Sequence, residues 1–331
     1  MLKSVLSFGV TLSLITAATM TDAATTEMQA PGPHGPLAGM LESPAQPIAT
    51  VLIIPGSGPT DRDGNNPLGV RAEPYRLLAE GLAANRIATV RIDKRGMFGS
   101  AKAVADANAV TVDDYVQDTL TWVGTIRQQT RAPCVWLLGH SEGGLMALAT
   151  AARHPEGVCG LILVSTGGRP LGDVLSEQLH ANPANGRIAD AGDAAIRALT
   201  KGEHVDVKTL PAPLAPLFAP AVQGFLISLF AQDPAKLIAD VRVPTLIVQG
   251  ERDLQVGVVD AQRLKQAQPA ATLALLPDTN HVLKAVTNDN RAANIATYGN
   301  PSLPLAPEVV ATIAHFVSTH LTTDNAPPTP K

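Results

Sequence analysis

The sequence predicts an α/β protein: a doubly wound, mostly parallel sheet covered by helices on both faces and interrupted by one block of small helices. Three observations predict it. Short runs that are apolar throughout alternate with amphipathic helical patterns, as expected of strands buried on both faces. That rhythm fails between Thr166 and Asp240, a stretch rich in Ala, Pro and Gly. Hydrophobic residues make up 45% of the 331 and charged residues 16%, which is ample for a large core and too little charge for a disordered chain.

The elements follow in order. Lys3, the apolar run Val5–Ala18 and the small residues of Thr21-Asp22-Ala23 read as a secretory signal peptide over residues 1–23, cut near Ala23 or Ala24. The run is shorter than the roughly 20 residues a membrane span needs, so the mature chain is expected to be periplasmic or secreted, with no span. Residues 24–165 form the first part of the core. Residues 25–50 are weakly patterned, with Leu37–Leu41 an edge strand or half a hairpin. Strands are then expected at Thr50–Ile54, Ile87–Ile92, Cys134–Leu138 and Val158–Val164. Helices are expected at Ala72–Asn85, Val112–Gln129 and Glu142–Arg153. Residues 166–240 are expected to form a helical insertion, since the prolines of Leu210–Pro220 forbid a strand or a long helix there. The core resumes over 241–321 with strands Val243–Gln249 and Ala271–Leu276 and helices Val258–Gln268 and Pro307–Leu321. The polar, Pro-rich tail 322–331 is expected to fray.

Composition excludes several functions. A net charge of −4 and 3% aromatic residues leave neither a basic surface nor stacking platforms for nucleic acid. No HExxH, no His/Cys cluster and no GxxxxGK[ST] occurs, and GSGPTD does not run on into a helix as a dinucleotide loop would. No metal or cofactor is therefore expected.

The sharpest motif is Gly139-His140-Ser141-Glu142-Gly143, between an apolar strand and an amphipathic helix. G-x-S-x-G at such a junction is a nucleophile elbow: the turn projects the serine hydroxyl at the carboxyl end of the sheet. Serine is a weak nucleophile alone and needs a base and an orienting acid. Of the downstream histidines His154, His180, His204, His281, His315 and His320, only His281 falls in a loop just past a strand. The acid should leave the end of the strand Val243–Gln249, which makes Asp253 the candidate and Glu251 the runner-up; Asp278 is too near His281 in sequence to reach round its ring. An oxyanion hole needs backbone N–H donors. The amide of Glu142 is one candidate. The loop Pro55–Asn65 supplies the other, and since Pro59 has no N–H the candidates are Ser57 and then Gly58.

Taken together, GSGPTDRDGN, Asp93-Lys94-Arg95-Gly96 after a strand, GHSEGG and Asn280–Lys284 resemble the α/β-hydrolase superfamily from about Leu37 to Leu321. Within it they resemble the bacterial group of serine-aminopeptidase-like (S33-type) hydrolases and carboxylesterases. The resemblance implies an α/β-hydrolase fold with a helical cap, matching residues 166–240 inserted before the acid-bearing strand. The His-Gly common in esterase oxyanion loops is Pro55-Gly56 here. The expected activity is hydrolysis of a small-molecule carboxylic ester through an acyl-enzyme. A peptidase is the alternative, with Glu142, Asp61 or Asp63 holding a substrate amine, and an acyltransferase or lactonase could use the same residues. A non-catalytic binding protein on this scaffold would not need all three of Ser141, Asp253 and His281. The segment Asp61-Arg62-Asp63 is expected to brace the oxyanion loop.

The two cysteines open neighbouring strands. A right-handed crossover places these side by side, about 4.8 Å apart, so a Cys134–Cys159 disulfide remote from the catalytic face is expected; the alternative is two buried thiols.

Overall fold

A computed structural model describes residues 23–181 and 185–321. The expected leader and tail therefore lie outside the described residues. The sheet has eight strands: β1 (Ala24–Ala30), β2 (Leu37–Ser43), β3 (Ala49–Ile54), β4 (Ile87–Ile92), β5 (Val135–His140), β6 (Val158–Val164), β7 (Thr245–Gly250) and β8 (Thr272–Leu276). Their order is β1-β2-β4-β3-β5-β6-β7-β8. The β1–β2 and β2–β4 pairs are antiparallel and every later pair is parallel.

Successive residues of a strand face opposite sides, and the core divides accordingly. Leu52, Ile54, Leu137, Leu161, Leu163 and Ile247 join one apolar cluster with residues of α2 (Val112–Thr130), α3 (Glu142–Ala151) and α8 (Val258–Ala267). Val51, Ile53, Trp136, Leu138, Ile162 and Val248 join another with α1 (Pro74–Ala84) and α10 (Pro307–Thr319). Local signals start the helices. Pro74 and Pro307 open α1 and α10, and Thr111 and Asp114 form a reciprocal capping box at α2.

The insertion holds α4 (Leu171–His180), α5 (Gly186–Thr200), α6 (Pro220–Phe230) and α7 (Pro234–Ala239). Ile196, Leu199, Leu214, Phe218 and Phe230 give it a small core of its own. Its last helix departs from the expectation of a cap running to 240: Ile238 of α7 is buried in the main core beside Leu264 of α8. Two elements carried no sequence expectation, β1 and the short α9 (Arg291–Ala296). In β1 just Met28 and Ala30 are buried, so its apolar signal is faint. The strand Cys134–Leu138 runs further than expected, through Gly139 to His140, so the elbow begins directly off the sheet.

Cys134 and Cys159 form a disulfide with Cα atoms 5.4 Å apart. Pairing passes from Val135↔Val158 to Trp136↔Gly160, so Cys159 is the extra residue of a bulge. Among the described residues, no helix is long and apolar enough to cross a membrane.

Candidate active site

The elbow is built by close packing. A side chain at Gly139 would collide with the Gly143 backbone, and one at Gly143 with the carbonyls of Ile54 and Pro55. With both positions glycine, the turn closes and Ser141 takes φ 53° and ψ −121°. That conformation is costly for a residue with a Cβ, by about 1–3 kcal/mol, and persists because the strand and helix around it over-determine it. Ser141 opens α3, whose N-terminal amides favour negative charge. Its hydroxyl makes no hydrogen bond among the described residues.

Asp253 and His281 arrive on two other loops at the same edge. His281 Nδ1 lies 2.8 Å from Asp253 Oδ2. Asp253 also accepts the amides of Gln255 at 2.8 Å and Val256 at 2.9 Å. Burial pushes its carboxyl up, but the His281 bond and these two amides outweigh burial and hold it below the usual carboxylate range. An ionised carboxylate only accepts, so His281 Nδ1 carries a proton and donates it to Asp253, which leaves Nε2 as the ring nitrogen turned away from the carboxylate. Glu251 and Asp278 are not at the ring; Asp278 lies 3.9 Å from Arg252. His180 pairs with Asp193, His204 with Gln223, and His320 packs on Phe316.

Sequence reasoning missed a buried relay behind the elbow. The Gly56 amide donates to Tyr75 Oη at 3.1 Å, and Tyr75 Oη donates to His140 Nδ1 at 2.8 Å. His140 Nε2 then donates to the His281 carbonyl at 2.8 Å. This chain of bonds ties the Pro55–Asn65 loop, the elbow and the His281 loop together, and sets the two histidine rings 4.7 Å apart. Burial, then the neighbouring His281, pushes His140 down to about 3, so it stays neutral. Burial raises the Tyr75 hydroxyl, which stays a donor. A bulky Tyr in the first turn of a helix gave no hint of this contact; the histidine inside the elbow motif was the available clue.

Asp93-Lys94-Arg95 also proves structural. All three are buried at the end of β4, where charges need partners. Asp93 takes Arg62 through Nε at 3.0 Å and through its backbone amide at 2.9 Å. Arg95 pairs with Asp118 at 2.6 Å and Asp114 at 2.8 Å. Lys94 Nζ reaches the Gly56 carbonyl at 2.6 Å and Glu142 Oε1 at 3.4 Å. Asp61 accepts the amides of Asp63 at 2.9 Å and Asn65 at 2.8 Å, and Asp63 pairs with Arg91. The segment Asp61-Arg62-Asp63 thus holds its own loop in place.

A cleft of about 390 Å³ opens over the elbow, between Ser57, Ser141 and Glu142 below and Val174, Leu175 and Leu229 of the insertion above. Gly56 N–H is committed to Tyr75, whereas the Ser57 amide carries no hydrogen bond among the described residues. Gly58 does not line the cleft.

The sequence profile of the serine aminopeptidase, S33 family matches residues 68–285. The chain belongs to this family. Among curated relatives, it is 27% identical to Esterase EstD of Thermotoga maritima over 72% of this chain and 55% of that one. It is also 27% identical to a pimeloyl-[acyl-carrier protein] methyl ester esterase of Chromobacterium violaceum, over 44% of this chain and 62% of that one. The chain therefore spans between half and two thirds of the length of these relatives. Among solved structures it resembles the esterase domain of a Rhodothermus marinus protein, with a TM-score of 0.54 at 17% identity, covering 90% of this chain and all of that one. The fold is the α/β-hydrolase fold.

Proposed function

We propose that this S33-family chain is a serine hydrolase that cleaves carboxylic esters. Ser141 attacks the ester carbonyl and His281 Nε2 takes its proton. Asp253 holds the imidazole in the required tautomer and stabilises the imidazolium. The amides of Ser57 and Glu142 receive the developing oxyanion. The alcohol departs with the proton from His281, and water hydrolyses the acyl-enzyme through the same base. The observation that carries this reading is the Asp253–His281 pair set at the sheet edge where the elbow projects Ser141.

The charges around the cleft favour an ester over an aminoacyl substrate. An aminopeptidase needs a free carboxylate for the substrate ammonium. Of the three acids that could serve, Glu142 faces Lys94, Asp61 is spent on two loop amides and Asp63 pairs with Arg91. Asp260, also at the cleft, is held by Arg169 at 3.0 Å. Esterase names among the relatives support the same choice. The leader pattern and the disulfide support export to an oxidising compartment.

A panel of p-nitrophenyl esters and aminoacyl p-nitroanilides tests the proposal. Esters should be turned over and anilides left intact, and Ser141→Ala should lower ester kcat by about 10³-fold or more with the fold retained. Anilide cleavage in place of ester cleavage would move the assignment to a peptidase. Full ester turnover by Ser141→Ala would remove the serine mechanism.

A further inference from the structure

We propose that Lys94 is a positioning residue that strengthens the oxyanion hole, acting through the Gly56–Ser57 peptide. The inference rests on the serine-hydrolase reading above and on its assignment of the Ser57 amide as a donor.

The geometry points to the peptide as the main target of the ammonium. Lys94 is 4% exposed. Its Nζ lies 2.6 Å from the Gly56 carbonyl oxygen but 3.4 Å from Glu142 Oε1. The shorter bond goes to the neutral group. A Lys that served only to neutralise Glu142 would place its closest contact on the carboxylate, since charge-assisted N–H···O⁻ bonds run to about 2.7–2.9 Å. The Tyr115 ring closes the remaining side, 5.7 Å from Nζ.

That carbonyl belongs to the same planar amide as the Ser57 N–H. The two ends of a peptide group share one delocalised π system. A cation held against the oxygen draws electron density from the nitrogen and makes the N–H a stronger donor, and in a buried setting such bonds polarise one another. Ser57 lines the cleft with Ser141, and its N–H makes no hydrogen bond among the described residues. The preceding peptide is fixed separately, because the Gly56 amide donates to Tyr75. Lys94 thus pulls on one end of a clamped amide whose other end is free to meet substrate. Its positive charge also sits behind the place where negative charge develops, and Glu142 balances that charge in the resting protein. The arrangement is preorganised: nothing moves when the tetrahedral intermediate forms.

Two variants test this, Lys94→Met and the charge-neutral pair Lys94→Met with Glu142→Gln. Removing an oxyanion donor outright costs about 10²–10³ in kcat, so weakening one should cost less, about ten- to fifty-fold. We expect kcat on a p-nitrophenyl ester to fall by that factor in both variants while KM changes less than about threefold, the pattern of an interaction made in the transition state. Affinity for an aryl boronic acid, which forms a tetrahedral adduct on serine, should fall in step with kcat. Three results would overturn the proposal. One is wild-type kcat in Lys94→Met. Another is recovery of wild-type kcat in the double variant, which would mean that Lys94 only neutralises Glu142. The third is unchanged boronic acid affinity beside a lowered kcat. If Lys94→Met does not fold, the double variant, which buries no unpaired charge, carries the same comparison. Ser141→Ala keeps the two readings apart. Full ester turnover there removes the serine mechanism itself, whereas normal dependence on Ser141 with fast Lys94 variants removes only this role for Lys94.

Discussion

Tyr75→Phe removes one oxygen and leaves the ring in place, so it isolates the relay behind the elbow. Tyr75 is 2% exposed and its hydroxyl makes two bonds, accepting from Gly56 N–H at 3.1 Å and donating to His140 Nδ1 at 2.8 Å. Both partners are buried and neither has another bond at that atom. Each buried polar group left unpaired costs about 1–3 kcal/mol. Two such groups, less the desolvation saved on the hydroxyl, give a loss of about 2–4 kcal/mol. Urea unfolding at pH 7, extrapolated linearly, measures this directly. The variant also frees the Gly56 amide beside the Ser57 amide, the proposed oxyanion donor, and lets the His140 ring turn under the His281 loop. Ester kcat should therefore fall by about tenfold or more, since small misplacements of reacting groups are costly. A variant as stable as the wild type, with kcat within twofold, would refute the claim that these bonds order the three loops.

Acid should destabilise the fold through His140. Its imidazole is held neutral to about 3, while an unfolded histidine titrates near 6.5. Between those values the unfolded chain binds one more proton, so stability falls as pH drops through that window. From pH 7 to 4.5 the wild type should lose about 2–3 kcal/mol more than His140→Asn in urea titrations; equal losses would contradict the assignment. Asp253, held low, adds a loss of the same sign as pH falls below the usual carboxylate range, where the unfolded carboxyl takes up its proton before the folded one does. The disulfide closes a separation of 25 residues. Replacing both cysteines by Ala should lower stability by about 3–4 kcal/mol on the chain-entropy relation, with ester kcat unchanged at temperatures where the variant is folded. A loss of activity without a loss of stability would place the bond in the site's machinery.

The parts of this protein that were legible in its sequence are those where one signal outweighs the rest. Val158–Val164 and Ile87–Ile92 are buried along nearly their whole length, so apolar runs alone bounded them. GHSEGG was legible because the elbow tolerates almost no side chain at its flanking glycines. Asp253 and His281 followed from chain order and from their places just past strands. The strand β1 was not legible, because its ladder is made by backbone groups and its side chains mostly face solvent. Nor were the roles of Tyr75 and Lys94. Both act through contacts across 38 or more residues of sequence for Lys94 and 65 for the Tyr75–His140 bond, and neither residue type announces such a contact. Three consecutive charges directly after a buried strand were nonetheless a signal. Buried charges must be paired, and the pairing partners of Asp93, Lys94 and Arg95 are what hold the Pro55–Asn65 loop and the start of α2 in place.

The central claim is that Ser141, activated by His281, is the nucleophile. Labelling with a fluorophosphonate tests it most directly, because the reagent phosphonylates only an activated serine at a useful rate. The account predicts a single adduct per chain, located by peptide mass spectrometry on Ser141, absent in Ser141→Ala and formed far more slowly in His281→Ala. Ester turnover by a protein that stays unlabelled, or that carries its adduct on another residue, would contradict it.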